Sequence, residues 1–241
     1  MVFRRILLIL TACALFAGVG VAHAQPASKD PEWPSNIGWQ GCPAPIWPKK
    51  LAEGAPGYGS RVLLVGDSLT RNSRIDLKEQ LTASGWTPTF RCWGGQTVQW
   101  GLAQIKRAKE LNQLPSRIVI GLGTNNKYDS PESFTANVKK IMDEVGPNRE
   151  VYWVNLWLDV KKDPRMKVYT RLNKALNQLD EQFPNMQVID WYTQLVDYTK
   201  DHALATTYDG IHYYAKGNKM RAVAITEALN ASVSNARNTQ R

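Results

Sequence analysis

From residue 61 onward the sequence alternates between short apolar runs and amphipathic stretches, and this alternation constrains the fold more than any other feature. Apolar runs of strand length fall at 61 to 66, 87 to 91, 117 to 123, 150 to 157 and 186 to 191. Helical patterns lie between them at about 69 to 84, 98 to 112, 131 to 145 and 166 to 183, with a last one at about 215 to 232. The run Val62-Leu63-Leu64-Val65 is continuously apolar, as expected of a strand covered on both faces. Ser130-Pro131 reads as an N-cap followed by proline at the first helical position, and Gly146-Pro147 as a helix stop. Repetition of strand, helix, strand predicts an α/β fold, a three-layer α/β/α sandwich around a five-stranded parallel sheet.

The chain before this domain reads differently. Residues 1 to 24 have the pattern of a secretory signal: Arg4 and Arg5, an apolar core from 6 to 21, then Ala22-His23-Ala24 as a small-x-small cleavage site before Gln25. A secreted or cell-envelope-associated protein is therefore expected. Two readings rank behind it: Leu10-Thr11-Ala12-Cys13 as a lipoprotein box with Cys13 lipidated, and the apolar stretch retained as an N-terminal membrane anchor. Residues 25 to 60 are rich in Pro and Gly, with Trp33, Trp39 and Trp47 among them, and predict an irregular arm packed on the domain. The domain itself is expected over 61 to 232, followed by a tail at 233 to 241.

The formal net charge is +9, but the basic residues come in pairs such as Lys49-Lys50 and Lys161-Lys162 and form no dense block. That distribution argues against a nucleic-acid partner and fits solubility or peripheral contact with an anionic envelope. A monomer is expected.

In a parallel sheet, chemistry gathers at the carboxyl ends of the strands. The first run ends in Gly66-Asp67-Ser68, the second in Cys92-Trp93-Gly94-Gly95-Gln96-Thr97 and the third in Gly123-Thr124-Asn125-Asn126; Asp209-Gly210-Ile211-His212 precedes the last helix. A serine hydroxyl is a poor nucleophile until a base takes its proton, and neutral imidazole is the side chain best poised for this near pH 7. His212 is the candidate base for Ser68, and Asp209 can fix its tautomer and stabilise the imidazolium as it forms.

Together the four blocks resemble the SGNH, or GDSL, hydrolase family of esterases and lipases, over about 61 to 230 and as an exported bacterial-type member. Gly66-Asp67-Ser68-Leu69 matches the first block, Gly95-Gln96-Thr97 the second, Gly123-Thr124-Asn125 the third and Asp209-Gly210-Ile211-His212 the last. The resemblance implies a flavodoxin-like sheet, catalytic Ser68, Asp209 and His212, and an oxyanion hole made by the Ser68 and Gly95 amides and the Asn125 side chain. The family has Asp after the third-block asparagine, and this chain has Asn126.

The reading that follows is an exported serine esterase cleaving O-acyl, short-chain esters such as acetyl on an envelope carbohydrate or glycolipid. The alternatives are a lipase, thioesterase or acyltransferase of longer chains, and a catalytically silent envelope-binding module. No cofactor is implied, and no metal, because the histidines and cysteines show no usual ligand spacing. Trp93, Trp157 and Asn126 are candidate substrate contacts, with Trp157, Lys161 and Lys162 on the segment that leaves the fourth strand and Trp191 at the end of the fifth. Export leaves Cys42 and Cys92 in an oxidising compartment without Cys13, so a disulfide between them is expected.

Overall fold

The computed structural model describes residues 41–42, 58–158, 166–201 and 207–239. The expected leader, most of the arm with its tryptophans, Lys161 and Lys162 lie outside the described residues. The elements in chain order are a 3-10 turn at Tyr58–Ser60, β1 (Arg61–Gly66), α1 (Ser68–Asn72), α2 (Arg74–Ala83), β2 (Thr87–Cys92), α3 (Val98–Glu110), β3 (Arg117–Gly121), α4 (Pro131–Val145), β4 (Glu150–Val154), α5 (Met166–Gln182), β5 (Met186–Ile189), α6 (Trp191–Asp201) and α7 (Ala215–Thr239).

The sheet has the order β2-β1-β3-β4-β5, and every neighbouring pair is parallel. This is the flavodoxin-like order, in which the chain reverses direction between β1 and β3 and leaves a crevice at their carboxyl ends. Successive side chains alternate between two apolar layers, as strand geometry requires. Leu63, Val65, Ile118, Ile120, Val151 and Trp153 face one layer with α3, α4 and α5. Val62, Leu64, Val119, Tyr152 and Val154 face the other, where Leu77 and Leu81 of α2, Leu195 of α6 and Ile225 and Leu229 of α7 cover them. β2 is an edge strand, which is where Pro88 is tolerated, because its missing N–H takes no bond from the ladder. Among the described residues no helix is long and apolar enough to cross a membrane.

The expected three-layer fold is present, with four local differences. The helix expected at 69 to 84 is broken at Ser73, whose hydroxyl donates to the Leu69 carbonyl at 2.8 Å and accepts from Arg221 at 3.2 Å. A serine that bonds its own backbone competes with the helical ladder, and here a buried arginine holds it in place. The third and fourth strands stop at Gly121 and Val154, short of the expected 123 and 157; Leu122, Leu156 and Leu158 continue into the core as loop residues, so their apolarity reflects burial and not pairing. α6 was unforeseen. Its start is capped by Asp190, which accepts from the Thr193 N–H at 3.1 Å, while Asn155 receives the Tyr192 N–H at 2.7 Å. The spacing of Trp191 and Leu195, both buried, is the signal that marks it. The last helix, expected to about 232, runs on to Thr239.

Cys42 and Cys92 form a disulfide across 50 residues of sequence with their Cα atoms 5.2 Å apart, and both are fully buried. The Cys42 N–H donates to the Cys92 carbonyl at 2.8 Å, and Gly41 bridges Trp93, so this piece of the arm is fastened to the carboxyl end of β2. Replacing both cysteines by serine should lower unfolding free energy by up to about 4 kcal/mol, the chain-entropy figure for a loop of this length. Denaturant unfolding measures the loss; thiol titration of the denatured, unreduced wild type should find neither sulfhydryl free.

Candidate active site

β1 ends at Gly66 and α1 begins at Ser68, so Asp67 is the whole connection. Asp67 is an N-cap in extended conformation whose carboxylate accepts the Leu69 N–H at 2.9 Å. So abrupt a turn brings α1 back over the strand end, and glycine makes the room. A Cβ on Gly66 would stand 2.0 Å from the Thr70 hydroxyl; one on Gly121, its partner in register, would meet Thr70 at 2.5 Å and the Arg221 guanidinium at 2.6 Å. The slot between these two glycines is filled by Thr70 and by Arg221 of α7, both buried. Ser68 thus stands at the first turn of a helix above the crevice, 8% exposed.

His212 reaches it from a short loop before α7. Its Nε2 is 2.8 Å from Ser68 Oγ and its Nδ1 is 2.6 Å from Asp209 Oδ2. With the Nδ1 proton toward the carboxylate, Nε2 is left as the acceptor facing the hydroxyl. The other oxygen of Asp209 accepts the Ile211 and His212 N–H groups at 2.9 and 2.8 Å, so the carboxylate folds the loop and orients the ring at once. Partial burial pushes the Asp209 carboxyl up, but the His212 ring and these N–H groups outweigh it and hold it below the usual carboxylate value. Tyr213, fully enclosed beside His212, anchors the loop from beneath: its hydroxyl accepts from Trp191 Nε1 at 2.9 Å and its ring packs against Trp157 and Trp191. Burial pushes its phenol up to about 12.

The third side of the site is the β3–α4 loop. Asn125 donates from Nδ2 to the Gln96 carbonyl at 2.9 Å and to Asp67 Oδ2 at 3.3 Å. It therefore joins the loop that carries Gly95 to the residue before Ser68. Gly95 is exposed and has φ +78°, a conformation that a side chain would strain. Ser68, Gly95 and Asn125 thus come from three different strand ends and meet at one edge.

The expected substrate contacts fare differently. Trp157 is 8% exposed and packs on Tyr213, and Trp191 is 1% exposed at the start of α6. Neither offers a free face to a ligand; the layer under the His212 loop is wide, and large rings fill it. Asn126 is buried: its Oδ1 accepts the Val98 N–H at 3.1 Å and its Nδ2 donates to Gln99 at 3.0 Å and Asp129 at 2.9 Å. An amide suits this position because one end must accept and the other must donate to a carboxylate. It is a brace between α3 and the β3–α4 loop. Trp93 is half-buried at the end of β2.

Sequence reasoning missed Arg221 and Tyr208. Arg221 lies mid-helix, with no sequence signal that it turns inward. Tyr208 lies one residue before Asp209, and its ring stacks on His212 with centroids 5.7 Å apart at 15°. Among the described residues no group of three or more His, Cys, Asp or Glu could hold a metal ion.

Neither a protein-family model nor a curated protein matches the chain. Solved structures do. The C-terminal catalytic domain of peptidoglycan O-acetyltransferase A from Streptococcus pneumoniae is 20% identical with a TM-score of 0.59, over 73% of this chain and 95% of that one. A lipase/acylhydrolase from Enterococcus faecalis is 20% identical with a TM-score of 0.62, over 71% and 96%. An acetyl xylan esterase from Geobacillus stearothermophilus is 17% identical with a TM-score of 0.56, over 71% and 94%. The protein has the fold of the GDSL-type lipases and acylhydrolases of known structure.

Two outcomes follow from the turn. Gly66→Ala forces the added methyl against Thr70 and should cost about 1–3 kcal/mol as overpacking, read as a lower denaturant midpoint at unchanged m. Asp67 is fully buried, and desolvation pushes its carboxyl from 3.8 up to about 6, against the pull of the Leu69 N–H, Arg221, His212 and Thr124. Because its folded value is the higher, the stability it contributes is present below about pH 4 and is lost as pH rises through about 6. Relative to Asp67→Asn, the wild type should therefore lose up to about 3 kcal/mol between pH 4 and pH 7, measured by unfolding both proteins across that range.

Proposed function

We propose that the protein is a serine esterase that cleaves O-acyl esters through an acyl-enzyme on Ser68. The observation that carries this reading is the unbroken chain of hydrogen bonds from Ser68 Oγ through the His212 ring to the Asp209 carboxylate. As Ser68 Oγ attacks the acyl carbon, its proton passes to His212 Nε2, and Asp209 stabilises the imidazolium. The charge that develops on the acyl oxygen is met by the Ser68 N–H, the Gly95 N–H and Asn125 Nδ2. The long 3.3 Å bond from Asn125 to Asp67 is the one an arriving oxyanion would replace, since the bond to Gln96 is shorter and keeps the amide aimed. The ester C–O bond then breaks, His212 returns the proton to the leaving alcohol, and water repeats the sequence to free Ser68. An alcohol in place of water makes the same intermediate a transferase.

For the substrate, the reading is a short acyl group, such as acetyl, on a carbohydrate or glycolipid of the cell envelope. Structural neighbours named as a peptidoglycan O-acetyltransferase and an acetyl xylan esterase support it, as does the basic net charge. The leader pattern and the Cys42–Cys92 disulfide support export. The assembled triad speaks against a silent binding module.

Ser68→Ala and His212→Ala should each lower kcat/KM for p-nitrophenyl acetate by about 10³-fold or more, and the double variant should be no worse than either single one, because the groups act as a unit. Asn125→Ala should cost about 10²–10³-fold in kcat. Full turnover by Ser68→Ala would overturn the mechanism.

A further inference from the structure

Among the described residues the exposed large hydrophobic side chains are Ile75 and three tyrosines, Tyr128, Tyr208 and Tyr214. Ile75 is on α2, beyond the break at Ser73. All three tyrosines belong to the loops that build the site: Tyr128 follows Asn125 and Asn126, and Tyr208 and Tyr214 flank Asp209 and His212. Tyr208 is 52% exposed and Tyr214 48%, and their rings meet edge to face at 5.7 Å and 66°. Tyr208 also lies parallel to the His212 ring. Exposed aromatic rings that cluster at one functional edge call for an explanation that scattered surface residues do not.

The chemistry of the site says what they would face. His212 Nε2 takes the Ser68 proton and hands it to the departing oxygen, so the alcohol side of the ester must lie against His212. The rings beside His212 are therefore the alcohol-side wall. They are flat faces that end in hydroxyls, half in water. Among the described residues no exposed Leu, Phe or Val accompanies them. A pyranose ring, with C–H groups on its faces and hydroxyls at its edge, matches both parts of a tyrosine.

We propose that Tyr208 and Tyr214 form a stacking subsite for the sugar that carries the ester, with Tyr208 the inner ring against His212 and Tyr214 the outer. This rests on the esterase reading and extends it to the residues that choose the alcohol. It also explains how the site could recognise a carbohydrate although Trp157 and Trp191 are committed to the core.

The test has a binding arm and a kinetic arm. In the Ser68→Ala protein, calorimetric titration with acetylated xylo-oligosaccharides and with acetylated N-acetylglucosamine oligosaccharides should show binding to at least one, and Tyr214→Ala in that background should weaken it about tenfold, as expected for one well-used aromatic face. In the otherwise wild-type protein, kcat/KM is compared for the acetate of a methyl pyranoside and for ethyl acetate, which keeps the acyl group and removes the ring. The ratio of the two should fall about tenfold in Tyr214→Ala and in Tyr208→Ala, and be largely restored by Tyr208→Phe, which keeps the stack on His212. Equal losses on both esters, no loss, absence of binding to either oligosaccharide, or a loss confined to long-chain acyl esters would each overturn the subsite. Failure of the wild type to turn over any acetate would instead overturn the esterase reading, and the binding arm would still decide whether the tyrosines hold a sugar.

Discussion

Everything at the candidate active site depends on how little chain separates β1 from α1. One residue makes the connection, so the helix starts directly above the strand it follows and its first turn crowds the ends of β1 and β3. The crowding is relieved only because the two strands end in glycines that face each other in register. The space they release is taken up by Thr70 and Arg221, which tie α1 to α7, and so tie the serine to the helix that the His212 loop leads into. Ser68 and His212 are 144 residues apart in sequence, yet they are set by packing against one shared slot.

The electrostatics of that slot are costly and directed. Asp67 is a carboxylate with no exposure to water, retained next to the serine by a helix N-terminus, a nearby guanidinium and the Asn125 amide. A buried charge of this kind is poor evidence of a stability role. It does set geometry, since Asp67 caps the helix that presents Ser68 and also accepts from Asn125, whose shorter bond is to the Gln96 carbonyl. The same economy appears in Asp209, where one oxygen folds the loop and the other orients the imidazole.

Aromatic residues divide into two sets that sequence position does not separate. Trp157, Trp191 and Tyr213 lie under the His212 loop and stiffen it, while Tyr208 and Tyr214 lie above it in water. Tyr213 and Tyr214 are adjacent, and only the direction of each side chain distinguishes a buried anchor from a surface ring. Trp157 and Trp191, expected at the site, are core residues, whereas the tyrosines beside Asp209 and His212 carried no expectation.

The sequence by itself determined the layered architecture, because strand and helix periodicities are local and repeat five times, and it singled out Ser68, Asp209 and His212, which the fold hydrogen-bonds together, because Gly-Asp-Ser and Asp-Gly-Ile-His are contiguous blocks whose chemistry can be read residue by residue. It also indicated the disulfide, by leaving two cysteines to pair. Only the tertiary structure decided what each residue faces. That Ser73 breaks a helix to receive Arg221, that Asn126 braces α3, that Trp157 fills a core and that Tyr208 stacks on His212 are all consequences of which surfaces close on one another. Periodicity shows that a side chain is apolar or polar on one element, but its partner lies on another element many residues away, and the distance between them does not exist until the sheet has formed.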